Sequence, residues 1–88
     1  MELKQFRRIA KALADPRRYE ILSRIAAKKE MACVDMRCVL PISPATLSHH
    51  VKELENAGLI EVRKEARFVH MKLCRKVWKE YLAQLAKL

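Results

Sequence analysis

The chain has 88 residues, 51% of them hydrophobic, and its 19 Lys and Arg against 10 Asp and Glu give a formal charge of +9. A single domain of this size buries only about 60–65% of its unfolded surface, so a modest core with apolar surface left for a partner is expected. No run approaches the roughly 20 apolar residues of a membrane span, three cysteines make an odd count that argues against a disulfide framework, and Met1-Glu2-Leu3-Lys4 opens no signal-peptide core. A cytoplasmic protein with reduced thiols and no membrane partner is the expectation.

In chain order, Leu3, Phe6, Ala10 and Leu13 recur at helical spacing, predicting a helix over residues 2–14. Asp15-Pro16 then supplies a cap and a first-turn proline for a second helix, with Ile21, Leu22, Ile25 and Ala26 on its buried face and Lys28-Lys29 at its negative end. A short third helix is predicted from Ala32 to Leu40, where Pro41 halts it. Ser43-Pro44 opens a fourth, with Leu47, Val51 and Leu54 inside and Gly58, the only glycine, at its C-terminal cap.

Beyond Gly58 the apolar period changes to two. Ile60 and Val62 alternate with Glu61 and Arg63, and Val69, Met71 and Leu73 with His70 and Lys72, which predicts a two-stranded hairpin. Its turn, Lys64-Glu65-Ala66-Arg67, has no glycine, so a loop longer than two residues is expected. From Arg75 the helical period returns, with Trp78, Tyr81, Leu82 and Leu85 along one side.

This order of elements is mainly α with a small β-hairpin, that of a winged helix-turn-helix in one domain over residues 1–88. Ile42-Ser43-Pro44-Ala45-Thr46-Leu47-Ser48-His49-His50-Val51-Lys52-Glu53-Leu54, closing with Ala57-Gly58-Leu59-Ile60, resembles the ArsR/SmtB family of bacterial repressors, as does Ala12-Leu13-Ala14-Asp15-Pro16-Arg17-Arg18 with Ile21-Leu22 after it. The resemblance implies a transcriptional repressor that binds double-stranded DNA as a homodimer through its first and last helices. Pro44 and Ala45 stand where members often carry a longer polar side chain.

The charge points the same way, because a basic body releases condensed counterions when it neutralises phosphates. At 100° per residue Ala45, His49, Lys52 and Asn56 lie outward on the fourth helix with Thr46 and Ser48 beside them, and those near its N-terminus are the candidates for base edges in the major groove. Ser43 and the first-turn amides suit a phosphate, as do Arg63, Lys64 and Arg67 at the hairpin end, with Arg17 and Arg18 as weaker candidates. His50 lies near the inner stripe and is expected to be packed and hydrogen-bonded. Leu3, Phe6, Leu13, Trp78, Tyr81, Leu82 and Leu85 are more large side chains than one small core can take, and are the expected dimer interface.

Thiol-type sensors of that family carry Cys-Val-Cys-Asp-Leu where this chain has Ala32-Cys33-Val34-Asp35-Met36, and its last helix has neither histidine nor aspartate. No metal or other cofactor is therefore expected. Cys33 and Cys38, about 140° apart on a helix, are poorly placed to chelate one ion. Cys33 is read as core, with a regulatory dithiol between Cys33 or Cys38 and Cys74 as the alternative. No glycine-rich phosphate loop or nucleophile with its base marks an enzyme, and the rival to DNA readout is a protein- or RNA-binding winged helix.

Overall fold

The computed structural model describes residues 1–88 as five helices and a three-stranded sheet. Helix α1 (Leu3–Ala14) ends at Asp15, whose carboxylate accepts the amide of Arg18 at 2.9 Å and so caps α2 (Pro16–Ala26). Pro16 fits the first turn because its missing N–H would have had no intrahelical acceptor. α2 stops at Ala26, short of Lys28-Lys29, with the Ala27 amide donating back to Ser23.

The chain then runs extended through a strand the sequence reading lacked, β1 (Met31–Ala32), and α3 (Cys33–Val39) begins one residue later than expected. Two residues are too few to show a period. Met31 sits opposite Met71 in an antiparallel pairing, and both are buried, so core contact selects the strand. α3 yields to extended backbone at Leu40, as the ring of Pro41 demands.

Helix α4 (Pro44–Asn56) is bounded by two local devices. At its start Ser43 Oγ accepts the Thr46 amide at 3.2 Å. At its end the Leu59 amide donates to Leu54 O at 3.1 Å and the Gly58 amide to Glu55 O at 2.9 Å, the pair of bonds of a Schellman cap, with Gly58 at φ +80°. Leu54 and Leu59, brought together by the cap, are fully buried.

Strands β2 (Ile60–Glu65) and β3 (Phe68–Leu73) pair from Ile60↔Leu73 to Glu65↔Phe68, leaving only Ala66-Arg67 in the turn. The expected longer loop is thereby corrected. Ala66 takes the positive φ itself, at 54°, and it alone of the two does so, the sign pattern of a type II′ turn. β3 is central, in the order β1-β3-β2. Helix α5 (Arg75–Ala86) closes the chain.

The core gathers Ile9, Ile21, Ile25, Met36, Leu54, Leu59 and Met71, one or more from each of α1 to α4 and from the sheet. Tyr81 joins them at 6% exposure, its ring 5.1 Å from that of Phe6 and 6.0 Å from that of Trp78. This corrects its expected place in a dimer interface, because α5 must spend one face on its own protomer. Phe6, Leu13 and Trp78 are half-buried against the same core, whereas Leu3, Leu82 and Leu85 are exposed.

A methyl group on Gly58 would lie 2.6 Å from Gln5 Nε2, a movable side-chain end whose bond to Ala57 O would be given up, so the cost of Gly58→Ala lies in that bond and in the backbone conformation. That substitution is expected to cost about 1–2 kcal/mol, which in a domain of this size lowers the Tm by roughly 5–10 °C. A melt superimposable on that of the wild type would show that α4 does not depend on the left-handed cap.

Candidate nucleic-acid interface

α3, the break from Leu40 to Ser43, and α4 form a helix-turn-helix in which α4 buries Leu47, His50, Val51 and Leu54. Burial of that stripe turns Ala45, Thr46, Ser48, His49 and Lys52 outward, and all five are exposed. The Ser43 hydroxyl donates to Thr46 Oγ1 at 2.9 Å, so the Thr46 hydroxyl keeps its proton for an acceptor outside the protein. Pro44 has no amide and Ser43 takes that of Thr46, which leaves Ala45 N–H as the one first-turn donor without an acceptor in its own helix. The expected anion site of several amides is thus reduced to one amide beside an exposed serine.

Along one flank of α4 lies a groove of about 520 Å³, walled by Ser48 and Lys52 on the helix, Arg37 on α3, and Val62, Lys64, Arg67 and Phe68 on the hairpin. Strand alternation decides which hairpin cations reach it. Lys64 shares the face of Val62. Arg63 takes the other face, where Glu65 and, at 2.6 Å, Glu30 pair with it, and Glu30 also lies 3.4 Å from His70 Nδ1. Hydrogen bonds from Glu65 and Glu30 raise the already high pKa of Arg63, and the Arg63 guanidinium lowers that of Glu65. The structure therefore brings Lys52, Lys64 and Arg67 to one side of α4 and leaves Arg63 out of that set. Arg67 stands 5.7 Å over the Phe68 ring.

On the opposite flank His50 is 8% exposed and its Nδ1 accepts from Arg18 Nε at 3.4 Å, so its proton belongs on Nε2. Burial pushes its pKa below the ordinary 6.5, against the opposing pull of the Asp15 carboxylate. The Arg18 amide in turn holds the carboxyl of Asp15 below its usual range. The packed, hydrogen-bonded role read for His50 thus has a definite partner, which the sequence had offered only as a weak phosphate candidate. Arg17 is paired with Glu20 at 3.3 Å.

All three cysteines are free. Cys33 is half-buried, with Sγ 3.6 Å from Met71 Sδ, and burial pushes its thiol pKa up, away from the thiolate that redox sensing requires. Cys38 is exposed and Cys74 half-buried. No three His, Cys, Asp or Glu side chains are grouped to hold a metal, and no helix is long and apolar enough to cross a membrane.

A helix-turn-helix whose second helix lies beside a basic hairpin defines a winged helix-turn-helix. Residues 13–63 match the model of a family described as a helix-turn-helix domain. The chain is 34% identical to the arsenical resistance operon repressor of Staphylococcus xylosus over 84 residues, covering 96% of this chain and 79% of that one. It is 33% identical over 66 residues to a cadmium resistance transcriptional regulatory protein CadC homolog of Staphylococcus aureus, covering 75% of this chain but only 54%, about half, of that relative. Among solved structures, a homodimeric winged helix-turn-helix DNA-binding domain from Mycobacterium bovis, described as a possible ArsR-family regulator, superposes with a TM-score of 0.79 at 29% identity, covering 97% of this chain and 80% of that one. The chain belongs to the ArsR family of winged helix-turn-helix transcriptional regulators.

Because folding depresses the pKa of His50, the native state binds fewer protons than the unfolded chain below pH 6.5, and its contribution to stability is lost as pH falls through that range. The Tm is expected to fall between pH 7.5 and 5.5, and to fall less in His50→Gln. Asp15, which titrates below its ordinary 3.8, lies outside this window. Parallel pH profiles for the two proteins would exclude His50 as the source.

Proposed function

We propose that residues 1–88 form a single DNA-binding unit that acts as a homodimeric repressor in the cytoplasm, recognising an inverted repeat and blocking transcription by occupying it. The observation that carries this reading is an outward helix face of Thr46, Ser48 and His49 bordered by Lys52, Lys64 and Arg67, none of them ion-paired. Thr46, Ser48 and His49 offer hydrogen bonds to base edges in a groove that admits a helix. Lys52, Lys64 and Arg67 hold the backbone on one side of the reading head, with Ser43 at its N-terminal end. Ala45 allows close approach beside them. The action is occlusion, with no chemical step and no catalytic group.

Leu3, Leu82 and Leu85 support a two-fold pairing of α1 and α5, helped by the exposed parts of Phe6, Leu13 and Trp78. Such a pairing presents two copies of α4, with half-sites spaced by about one DNA turn or a multiple of it. Similarity to an operon repressor of Staphylococcus xylosus supports repression.

Selection from a randomised duplex pool at physiological salt is expected to enrich an inverted repeat bound by a dimer. Thr46→Ala and His49→Ala are expected to weaken that duplex by about 1–3 kcal/mol each and to relax base preference. Lys64→Gln and Arg67→Gln are expected to weaken all duplexes alike. Failure to enrich any sequence would refute specific repression and favour a protein- or RNA-binding winged helix. On sizing, Leu3→Glu with Leu85→Glu is expected to give a monomer; an unchanged dimer would place the interface elsewhere.

A further inference from the structure

Helix α1 carries no acidic residue, and Lys4, Arg7, Arg8 and Lys11 all project within a sector of roughly 100°. Every neighbour at i+3 or i+4 within this set is a like charge, which weakens a helix, and Lys4 sits in the first turn where the helix dipole disfavours a cation. None of the four is ion-paired. α1 nonetheless lies alongside α4, with Gln5 Nε2 donating to Ala57 O at 3.2 Å and Arg8 Nη1 reaching Asn56 O at 3.5 Å. Arg8 and Lys11 share a cleft with Arg18 and with Glu53 of α4, and Lys4 and Arg8 share a second with Glu2, Glu55 and Asn56, so four cations meet three glutamates there. Asp15 borders the first cleft, but its carboxylate already accepts the Arg18 amide.

By helical angle Glu53 and His50 leave α4 on the flank opposite Ser48 and Lys52, which face the hairpin groove. The recognition helix thus has cations along both flanks, Lys64 and Arg67 on one and Lys4, Arg8 and Lys11 on the other. A major groove is likewise bordered on both sides by a phosphate strand, about 12 Å apart. We propose that the α1 stripe is a second phosphate-backbone contact, gripping the strand across the groove from the wing. This rests on the DNA-binding reading above. Leu3 borders the Arg7 edge of the stripe, while Lys4, Arg8 and Lys11 centre roughly 110° from it, so the test is confined to these three.

The test uses the selected duplex, the full chain and the triple variant Lys4→Gln, Arg8→Gln, Lys11→Gln. Each phosphate contact removed lowers the slope of log K against log salt by about 0.9. For a dimer we expect the slope to fall by at least about 2 and affinity at physiological salt to fall at least tenfold, with the selected sequence unchanged. The double variant Lys4→Gln, Lys11→Gln, which keeps the Arg8 bond to α4, gives the same direction should the triple variant melt early. An unchanged slope in folded variants that still bind the selected duplex overturns the proposal and leaves the repressor reading standing. Wild-type protein that selects no duplex overturns both. Charge-dependent sedimentation with phosphatidylserine vesicles, alongside an unchanged duplex slope, would assign the stripe to a membrane surface instead.

Discussion

Burial of Leu47, Val51 and Leu54 against the other helices and the sheet is the contact on which the rest of the molecule depends. It fixes the rotation of α4 about its own axis, and rotation alone decides which side chains can meet a base. A turn of one residue, about 100°, would carry Thr46 or Lys52 out of the outward face and expose a leucine. The two ends of the helix enforce the same rotation. Ser43 sets where the first turn begins, and the Schellman bonds close the last turn while pressing Leu59 onto Leu54. His50 completes the arrangement, because a neutral imidazole accepting from Arg18 ties the helix to the start of α2 at a point where an aliphatic side chain would supply no direction.

The distribution of acids is as informative as that of bases. Glu30 and Glu65 neutralise Arg63 on the back of the hairpin, Glu20 engages Arg17 and Arg24, and Glu61 lies 3.7 Å from Lys72. Exposed pairs of this kind add little stability. Their effect is to neutralise Arg17, Arg24, Arg63 and Lys72, while Lys52, Lys64 and Arg67 beside α4, the cations of α1, and others such as Lys28, Lys29, Arg75 and Lys76 stay unpaired. A net charge of +9 says only that a polyanion is attracted; the pairing of Arg63 takes the back of the hairpin out of that attraction.

Much of this was legible in the residues. Proline and capping residues at Asp15-Pro16, Ser43-Pro44 and Gly58 act through local backbone geometry, so the boundaries they mark hold whatever the chain packs against. The features that escaped are non-local. β1 exists because Met31 finds Met71 across forty residues of sequence. The tight hairpin turn was hidden because Ala66 adopts a conformation that glycine usually supplies, held there by the strand pairing on either side. Arg63 and Lys64 are neighbours in sequence and opposites in space, and only the registered strand shows that one faces Glu30 and the other the groove. Tyr81 carried the helical period of a dimer face, yet Phe6 from the other end of the chain claims it.

Tyr81 is taken up by its own protomer, which leaves Leu3, Leu82 and Leu85 at 60%, 45% and 38% exposure as the principal apolar stock of α1 and α5. Completing the burial of each would contribute about 1 kcal/mol, or roughly 6 kcal/mol across a symmetric pair. Association costs at least about 4 kcal/mol in lost translation and rotation, and commonly more. The leucines alone therefore place a dimer near the margin. In the proposed interface the surplus would come from the remaining surface of two half-buried rings, Phe6 tilted against Tyr81 and Trp78 stacked on it, both already positioned by the protomer core.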